Sequence, residues 1–211
     1  MKFTNALARH EGWKTISSEQ HFQSDHLAVV TEVMRTPAVP KGRPWLVVHR
    51  KAAVVIAPMT HEGKLILIRQ ERIPIRATIW EVPAGQIDGL RDFPRTGVTD
   101  SGYEAAIEAV ALRELREETG YQLGPAGELI ALGHYFSSPG FTDEHAYLFL
   151  ARNVELSPEG HAHAESESIV DCRSFTPREI ARMIANGEIR DGNTLAICTR
   201  LIVSGLLSLY G

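Results

Sequence analysis

The sequence has few cysteines, no long apolar run and no excess of positive charge. Each of these absences argues against one class of protein. Only two cysteines, Cys172 and Cys198, occur among the 211 residues. Their spacing matches neither a zinc site nor a CxxC redox motif, so we expect two reduced thiols in the core. The formal net charge is −4 and no basic stripe is present, which argues against a protein that binds nucleic acid.

Membrane association is also disfavoured. No apolar run approaches the roughly 18 residues that a membrane-spanning helix needs. The first ten residues lack the apolar region of a signal peptide. We therefore expect a cytoplasmic protein without a membrane partner. Hydrophobic residues make up 44% of the chain, enough for one full core and a small accessory layer.

What the chain does have is a predicted helix over residues 103–118 with acids on its apolar side. At 100° per residue, Ile107 and Ala111 lie on one stripe, which Glu114 and Glu118 continue. Two inward carboxylates one turn apart are costly unless a cation lies between them. Oxygen ligands favour Mg²⁺ or Mn²⁺ over zinc. The alternative is a solvated helix face with Arg–Glu pairs.

Two runs of residues carry a family resemblance. Residues 113–121, RELREETGY, together with residues 80–88, WEVPAGQID, resemble the signature of the Nudix hydrolases, which cleave a diphosphate linked to another moiety. The second half of that signature fits completely. The first half departs from it, because Gly85 lies 28 residues before Arg113, whereas the family spacing is 14. About 14 residues are therefore added in the loop 89–102.

One box acid is missing as well. The Glu that the family pattern has eight positions before Arg113 is Ala105 here, with Glu104 beside it. Whether Glu104 replaces it is left open. Among family members that first acid is less central than the later pair, so we expect the departure to affect rate and substrate more than metal binding.

Other segments resemble one subgroup, the ADP-ribose pyrophosphatases. These are Gln70-Glu71-Arg72, the SPGFTDE run at residues 138–144 and the segment 186–194, so that the resemblance spans about residues 45–200. In that subgroup a Glu-x-Glu pair on a mobile loop supplies the catalytic base and a further metal ligand. Glu165 and Glu167 occupy the corresponding place.

The resemblance implies a set of site residues. Metal ligands would be the carbonyl of Ala84 and the carboxylates of Glu114, Glu118 and Glu167. Catalytic residues would be Glu165, Glu117 and Glu118, with Glu165 as general base ahead of its rivals Glu117 and Glu144. Arg72 is the candidate phosphate contact, since guanidinium pairs bidentately with phosphate. Glu81, Pro139 and Gly140 complete the substrate-binding set.

The elements predicted along the chain form an α/β fold, a Nudix α/β/α sandwich with a mixed sheet. Strands are expected at residues 27–34, 45–49, 52–57, 64–69, 80–84, 128–134, 145–151 and 169–175. Beyond the helix at 103–118, a capping box at residues 176–179 begins a helix that ends near residue 187, and a last helix covers 194–209. Residues 1–50 are expected to form a small antiparallel β layer that mediates a homodimer, and residues 51–211 the Nudix domain.

The expected function is metal-dependent hydrolysis of the pyrophosphate bond of a nucleoside diphosphate sugar, with ADP-ribose giving AMP and ribose 5-phosphate. Two alternatives stay open. The substrate could be another nucleoside diphosphate sugar such as GDP-mannose, or the chain could be a Nudix-fold regulator that binds such ligands without turnover. The interrupted signature and Ala105 favour the regulator, whereas the intact acidic cluster favours an enzyme.

Overall fold

The computed structural model describes residues 6–7, 11–87, 100–160 and 168–209. In chain order the strands are β1 (Lys14–Gln23), β2 (Leu27–Arg35), β3 (Arg43–Arg50), β4 (Ala53–Met59), β5 (Leu65–Arg72), β6 (Ala77–Glu81), β7 (Ala84–Gln86), β8 (Tyr121–Phe136), β9 (His145–Leu156) and β10 (Ile169–Phe175). The helices are α1 (Asp100–Thr119), α2 (Pro177–Ala185) and α3 (Gly192–Val203). A 3-10 turn, Ile73–Ile75, separates β5 from β6.

The larger sheet is mixed and runs in the order β10-β5-β4-β9-β8. β4 and β9 are parallel, whereas β8 pairs with β9 and β10 pairs with β5 in antiparallel fashion. β6 pairs with β5, and β7 pairs with the first residues of β4. β4 and β5 are buried on both sheet faces, which explains why their sequences are nearly continuous apolar runs.

Helices cover both faces of this sheet. α1 places Ile107, Ala111 and Leu115 against one face, and α2 and α3 place Ile180 and Ile197 against the other. The predicted α/β/α sandwich with a mixed sheet is confirmed. α2 begins as predicted, since Thr176 and Glu179 form both hydrogen bonds of a capping box.

The strand predicted at residues 80–84 is wrong as a single element. β6 ends at Glu81 and β7 begins at Ala84, and the two pair with different strands. Val82 and Pro83 lie between them, and the Val82 amide donates to Thr194 Oγ1 at 3.0 Å. The chain passes here from the β5 edge to the β4 edge, which no local pattern of apolar residues indicates.

Other boundaries also differ from the prediction, and the differences at β8 and α3 are among the largest. β8 begins at Tyr121, directly after α1, rather than at residue 128. α3 begins two residues before Thr194, because Asp191 accepts a hydrogen bond from the Thr194 amide and caps the helix there. It ends at Val203 rather than residue 209, followed by Gly205 at φ +69°.

The first three strands form a separate antiparallel sheet in the order β1-β2-β3. β2 and β3 confirm the strands predicted at residues 27–34 and 45–49. β1 is missed because its sequence, KTISSEQHFQ, is polar and almost wholly exposed. This sheet leaves large apolar side chains in solvent, and they are Trp13, Ile16, Phe22, Trp45 and Leu46.

Both cysteines are free thiols, as predicted. Burial raises the pKa of Cys172 and of Cys198 to about 11, so neither is reactive as a thiolate at neutral pH. None of the helices in the described ranges is long and apolar enough to cross a membrane.

Candidate active site

The acids of α1 lie on the helix face that packs against the sheet. Glu114 and Glu118 are 4% and 3% exposed, and they follow Ile107 and Ala111, both fully buried, along the same stripe. The helix therefore turns two carboxylates inward, as its sequence predicts. Glu117 lies on the flank, where its side chain is 28% exposed.

The backbone of β7 contacts both buried carboxylates. The Ala84 amide donates to Glu118 Oε2 at 2.8 Å. Gly85 lies directly under Glu114, where a Cβ added to the glycine would collide with the Glu114 carboxyl group. The glycine is therefore required for this close approach of helix and strand, and the two acids meet the backbone at the start of β7.

Arg113 joins the acids of the helix. Its Nη2 donates to Glu114 Oε1 at 2.6 Å, and its Nη1 donates to Glu117 Oε2 at 2.6 Å. The guanidinium of Arg113 thus bridges the buried carboxylate of Glu114 and the partly exposed carboxylate of Glu117, about one helical turn apart. This geometry balances part of the negative charge and fixes the orientation of Glu117.

The residues at this place fit a hard divalent cation. Glu114 and Glu118 offer buried carboxylate oxygens, and Gly85 leaves the room that lets one of them reach the β7 backbone beside Ala84. Such oxygen donors suit Mg²⁺ or Mn²⁺. Within the described ranges, no group of three or more His, Cys, Asp or Glu residues is already gathered as a metal site. The predicted fourth ligand, Glu167, lies outside those ranges.

Arg72 is held by Glu81. Its Nε donates to Glu81 Oε1 at 2.9 Å and its Nη2 to Glu81 Oε2 at 2.9 Å. Glu81 is 1% exposed, whereas the Arg72 side chain is 40% exposed. Nη1 of Arg72 has no hydrogen bond to any described residue. The bidentate pair therefore presents one end of the guanidinium to solvent in a fixed orientation.

The pKa values of Glu81 and Arg72 show that burial opposes the ionised form of Glu81. Burial raises the pKa of the Glu81 carboxyl above its ordinary value, although the hydrogen bonds and charge of Arg72 oppose that shift. Burial acts to lower the pKa of Arg72, but Glu81 outweighs it, and the net direction is upward. Arg72 stays charged throughout the physiological range.

Three residues near the site, Asp191, Asn193 and Thr194, belong to the resembling segment 186–194, and a fourth, Tyr135, carries no sequence signal. Asp191 caps α3 by accepting from Thr194, and the Tyr135 hydroxyl donates to Asn193 Oδ1. Burial, with the charges of Asp191 and Glu144, raises the pKa of Tyr135 to about 12. The Asp-x-x-Thr spacing could have revealed the cap, whereas nothing local links Tyr135 with a residue 58 positions away.

Thr194 joins α3 to the segment whose backbone contacts Glu118. Its Oγ1 accepts from the Val82 amide at 3.0 Å, two residues before the Ala84 amide that holds Glu118. The short stretch from Glu81 to Ala84 thus contacts Arg72, α3 and α1 in turn. It therefore contacts both the candidate phosphate contact, Arg72, and the candidate metal ligand Glu118.

The predicted substrate-binding residues Pro139 and Gly140 lie in an exposed turn between β8 and β9. The amides of Phe141 and Thr142 both donate to the Ser138 carbonyl at 3.2 Å. A Cβ on Gly140 would meet nothing within 4 Å, so its packing does not require glycine. This turn is attached to β3, where the Val48 amide donates to the Phe141 carbonyl at 2.8 Å.

Glu144, a candidate general base, is held on both carboxylate oxygens. Arg50 Nη1 lies 2.5 Å from Oε1, and Ser137 Oγ donates to Oε2 at 2.6 Å. Both oxygens of this carboxylate are engaged by neighbouring side chains. The geometry therefore favours a structural role for this acid.

Glu165 lies outside the described residues, as do Glu167 and residues 89–99 of the inserted loop, and the side chain of Glu104 is not described. The described chain resumes at Ser168, whose carbonyl accepts from the Glu71 amide at 3.0 Å. In the sequence, Glu167 directly precedes Ser168, and Ser168 is hydrogen-bonded to Glu71, the neighbour of Arg72.

Known proteins are similar to this chain over most of its length. The family model of the NUDIX domain matches residues 48–196. An ADP-ribose pyrophosphatase of Bacillus subtilis (strain 168) is 33% identical over 181 residues, which are 86% of this chain and 88% of that protein. A GDP-mannose pyrophosphatase of Klebsiella pneumoniae is 28% identical over 156 residues, 74% of this chain and 73% of that protein.

A solved structure agrees with the architecture. The crystal structure of an ADP compounds hydrolase superposes with a TM-score of 0.67 and covers 93% of this chain and 98% of its own. Its sequence identity is 17%, so this likeness bears on the fold alone.

Proposed function

Since the chain belongs to the Nudix family and is a Nudix pyrophosphohydrolase, we propose that it hydrolyses the pyrophosphate bond of ADP-ribose to AMP and ribose 5-phosphate. The observation that carries this proposal is the pair of buried acids, Glu114 and Glu118, against the Gly85 backbone. A protein that only binds its ligand has no need of two desolvated carboxylates. The similar ADP-ribose pyrophosphatase from Bacillus subtilis supports the substrate.

We assign the metal to Glu114, Glu118, the Ala84 carbonyl and Glu167, with Mg²⁺ or Mn²⁺ as the ion. When bound, such an ion neutralises phosphate charge, orients a water and stabilises the leaving phosphate. The Ala84 amide keeps Glu118 in place through its 2.8 Å hydrogen bond. Arg113 keeps Glu117 close to the same cluster.

Glu165 is our candidate for the general base, with Glu117 and Glu118 as the other catalytic acids. The base takes a proton from water while the water oxygen bonds to phosphorus. The phosphorus–oxygen bond to the leaving monophosphate then breaks, and that oxygen keeps the electron pair. Two rivals for the base are already engaged, since Glu117 is paired with Arg113 and Glu144 with Arg50 and Ser137.

Arg72 contacts the diphosphate in this proposal. Glu81 uses Nε and Nη2 of the guanidinium, which leaves Nη1 for a phosphate oxygen. Glu81 thereby contributes to substrate binding through Arg72, because its own carboxylate is 1% exposed. Pro139 and Gly140 form the turn that borders the bound sugar.

The assembly belongs to the same proposal. Residues 1–50 would pair two copies through the exposed apolar side chains of the N-terminal sheet, of which Trp13 is 57% and Leu46 60% exposed. Residues 51–211 would form the catalytic unit, in the cytoplasm and without a nucleic-acid or membrane partner. Light scattering of the parent and of Leu46→Asp should give a dimer and a monomer, and a monomeric parent would contradict the assembly.

GDP-mannose is the second candidate substrate, because the Klebsiella relative is a GDP-mannose pyrophosphatase. The deciding experiment is a panel of ADP-ribose, ADP-glucose and GDP-mannose with Mg²⁺ or Mn²⁺, scored by chromatography of the released nucleoside monophosphate. We expect the highest kcat/KM for ADP-ribose. A parent protein that binds these ligands in calorimetry but releases no product would be a regulator, and the proposal would be wrong.

A further inference from the structure

The turn that carries Pro139 and Gly140 is fastened to the N-terminal sheet at its far end. Asp143 Oδ2 lies 2.6 Å from His49 Nδ1, and Asp143 Oδ1 accepts from the Arg50 amide at 3.0 Å. One carboxylate thus bonds to two consecutive residues of β3. The side chains of Asp143 and His49 are only 18% and 14% exposed, so these bonds are shielded from most of the solvent.

A backbone contact and a second carboxylate continue this attachment on either side. The Val48 amide donates to the Phe141 carbonyl at 2.8 Å. Arg50 holds Glu144, whose other oxygen accepts from Ser137 at the start of the turn. Three consecutive residues of β3 therefore contact the loop over residues 137–144, and Asp143 bonds to two of them.

His49 lies between acids of both layers. Its Nδ1 faces Asp143, and its Nε2 lies 3.9 Å from Glu32 on β2, a residue that is 7% exposed. The ring therefore links the interior of the N-terminal sheet with the loop. Charged hydrogen bonds of this kind are stronger and more directional than neutral ones.

We propose that Asp143 is a positioning residue, which fixes the substrate-binding turn against β3 through His49 and the Arg50 amide. This inference rests on the proposed function, because it assumes that the turn at Pro139 and Gly140 borders the bound nucleoside diphosphate sugar. Under it, the N-terminal sheet serves substrate affinity in addition to assembly. Loss of the attachment raises KM and leaves the chemical step, which belongs to Glu165 and the α1 acids, largely intact.

The kinetic test uses graded variants of the two partners. Asp143→Ala removes both bonds and should raise KM for ADP-ribose about tenfold, with kcat within about threefold of the parent. Asp143→Asn keeps an acceptor for the Arg50 amide and should raise KM by about threefold. His49→Ala should resemble the asparagine variant, whereas His49→Gln, which can still donate to Asp143, should stay near the parent.

Energetic coupling between Asp143 and His49 is measured with the double variant. Asp143→Ala with His49→Ala should have the KM of Asp143→Ala alone, because the first change already removes the bond. The matched control is Glu128→Gln, an exposed carboxylate in the middle of β8 that lies 3.7 Å from Arg152. It should match the parent in KM, kcat and Tm.

A second readout does not depend on turnover. Hydrogen exchange at the Val48 amide, which bonds to the loop, should accelerate in Asp143→Ala, while exchange at Leu150 in the buried β9 should not change. If the parent neither binds nor hydrolyses ADP-ribose, the proposed function fails, and Val48 exchange still decides whether Asp143 holds the loop.

Three results would overturn the inference. Unchanged KM and unchanged Val48 exchange in Asp143→Ala would show that the attachment is dispensable. A fall in kcat with constant KM would place Asp143 in the chemistry instead. Equal losses in His49→Gln and His49→Ala, with no rescue by the conservative change, would show that the ring packs there without acting through Asp143.

Discussion

The acid face of α1 and the contact between β3 and the loop at residues 137–144 are both built from carboxylates, but in opposite ways. Glu114 and Glu118 are four residues apart and become neighbours as soon as the helix forms. Asp143 and His49 are 94 residues apart and meet only in the finished fold. The pair of acids on α1 can be predicted from neighbouring positions in the sequence, whereas the pair of Asp143 and His49 depends on how the two sheets pack.

The same difference separates their expected effects. The α1 acids are 4% and 3% exposed, and Glu114 has room only because residue 85 is glycine, so changes there should act on the chemical step. The loop contact consists of hydrogen bonds between partly exposed groups, so changes there should act on affinity.

Glu118→Gln should have the largest effect. The amide keeps the size of the side chain but removes a ligand charge, so turnover of ADP-ribose should fall on the order of 10²-fold or more. Tm should stay near that of the parent, as should both values in the control Glu128→Gln. Parental turnover at saturating Mg²⁺ would remove Glu118 from the metal site.

Gly85→Ala tests the same region through the backbone. The added Cβ collides with the Glu114 carboxyl group, so kcat should fall about tenfold to a hundredfold and the unfolding free energy by about 1–3 kcal/mol. Gly192→Ala is a suitable control, because a Cβ there meets nothing within 4 Å. Steady-state kinetics and urea unfolding measure both effects, and equal results for the two variants would contradict the account.

Arg72→Lys should have a smaller effect, directed at binding. Lysine keeps the charge but cannot bond to Glu81 and phosphate in the same planar arrangement. We expect KM for ADP-ribose to rise about tenfold while kcat changes less. A fall in kcat with unchanged KM would place Arg72 with the α1 acids in the chemical step.

The pH dependence of stability should show the smallest effect. The raised pKa of Glu81 means that the folded chain binds this proton more tightly than the unfolded chain, whose ordinary value is 4.5. The stability from this group is fully present below pH 4.5 and is lost as pH rises through the raised value. Glu81→Gln should flatten that part of the profile in urea unfolding, and identical profiles would show that Glu81 does not titrate abnormally.

The sequence could predict the features that arise from local periodicity and capping. The apolar stripe ending in Glu114 and Glu118, the buried strands β4 and β5 and the capping box at Thr176 all depend on residues within a few positions of each other. These elements determine the α/β/α class and the place of the candidate metal ligands, and the structure contains all of them.

Features set by tertiary packing could not be predicted. β1 is polar and forms because β2 offers it a partner. The break between β6 and β7 follows from the change of partner strand, not from the apolar run. The contacts of Tyr135 with Asn193 and of Asp143 with His49 join distant parts of the chain. No local pattern carries that information.

Calorimetric titration with Mn²⁺ measures whether the inward acids of α1 hold a divalent cation, on which the proposed function depends. We compare the parent with Glu114→Gln, Glu118→Gln and the control Glu128→Gln, and take the dissociation constant rather than activity as the result. We expect at least about tenfold weaker binding in both α1 variants and parental binding in the control. Equal affinity in all four proteins would contradict the metal assignment.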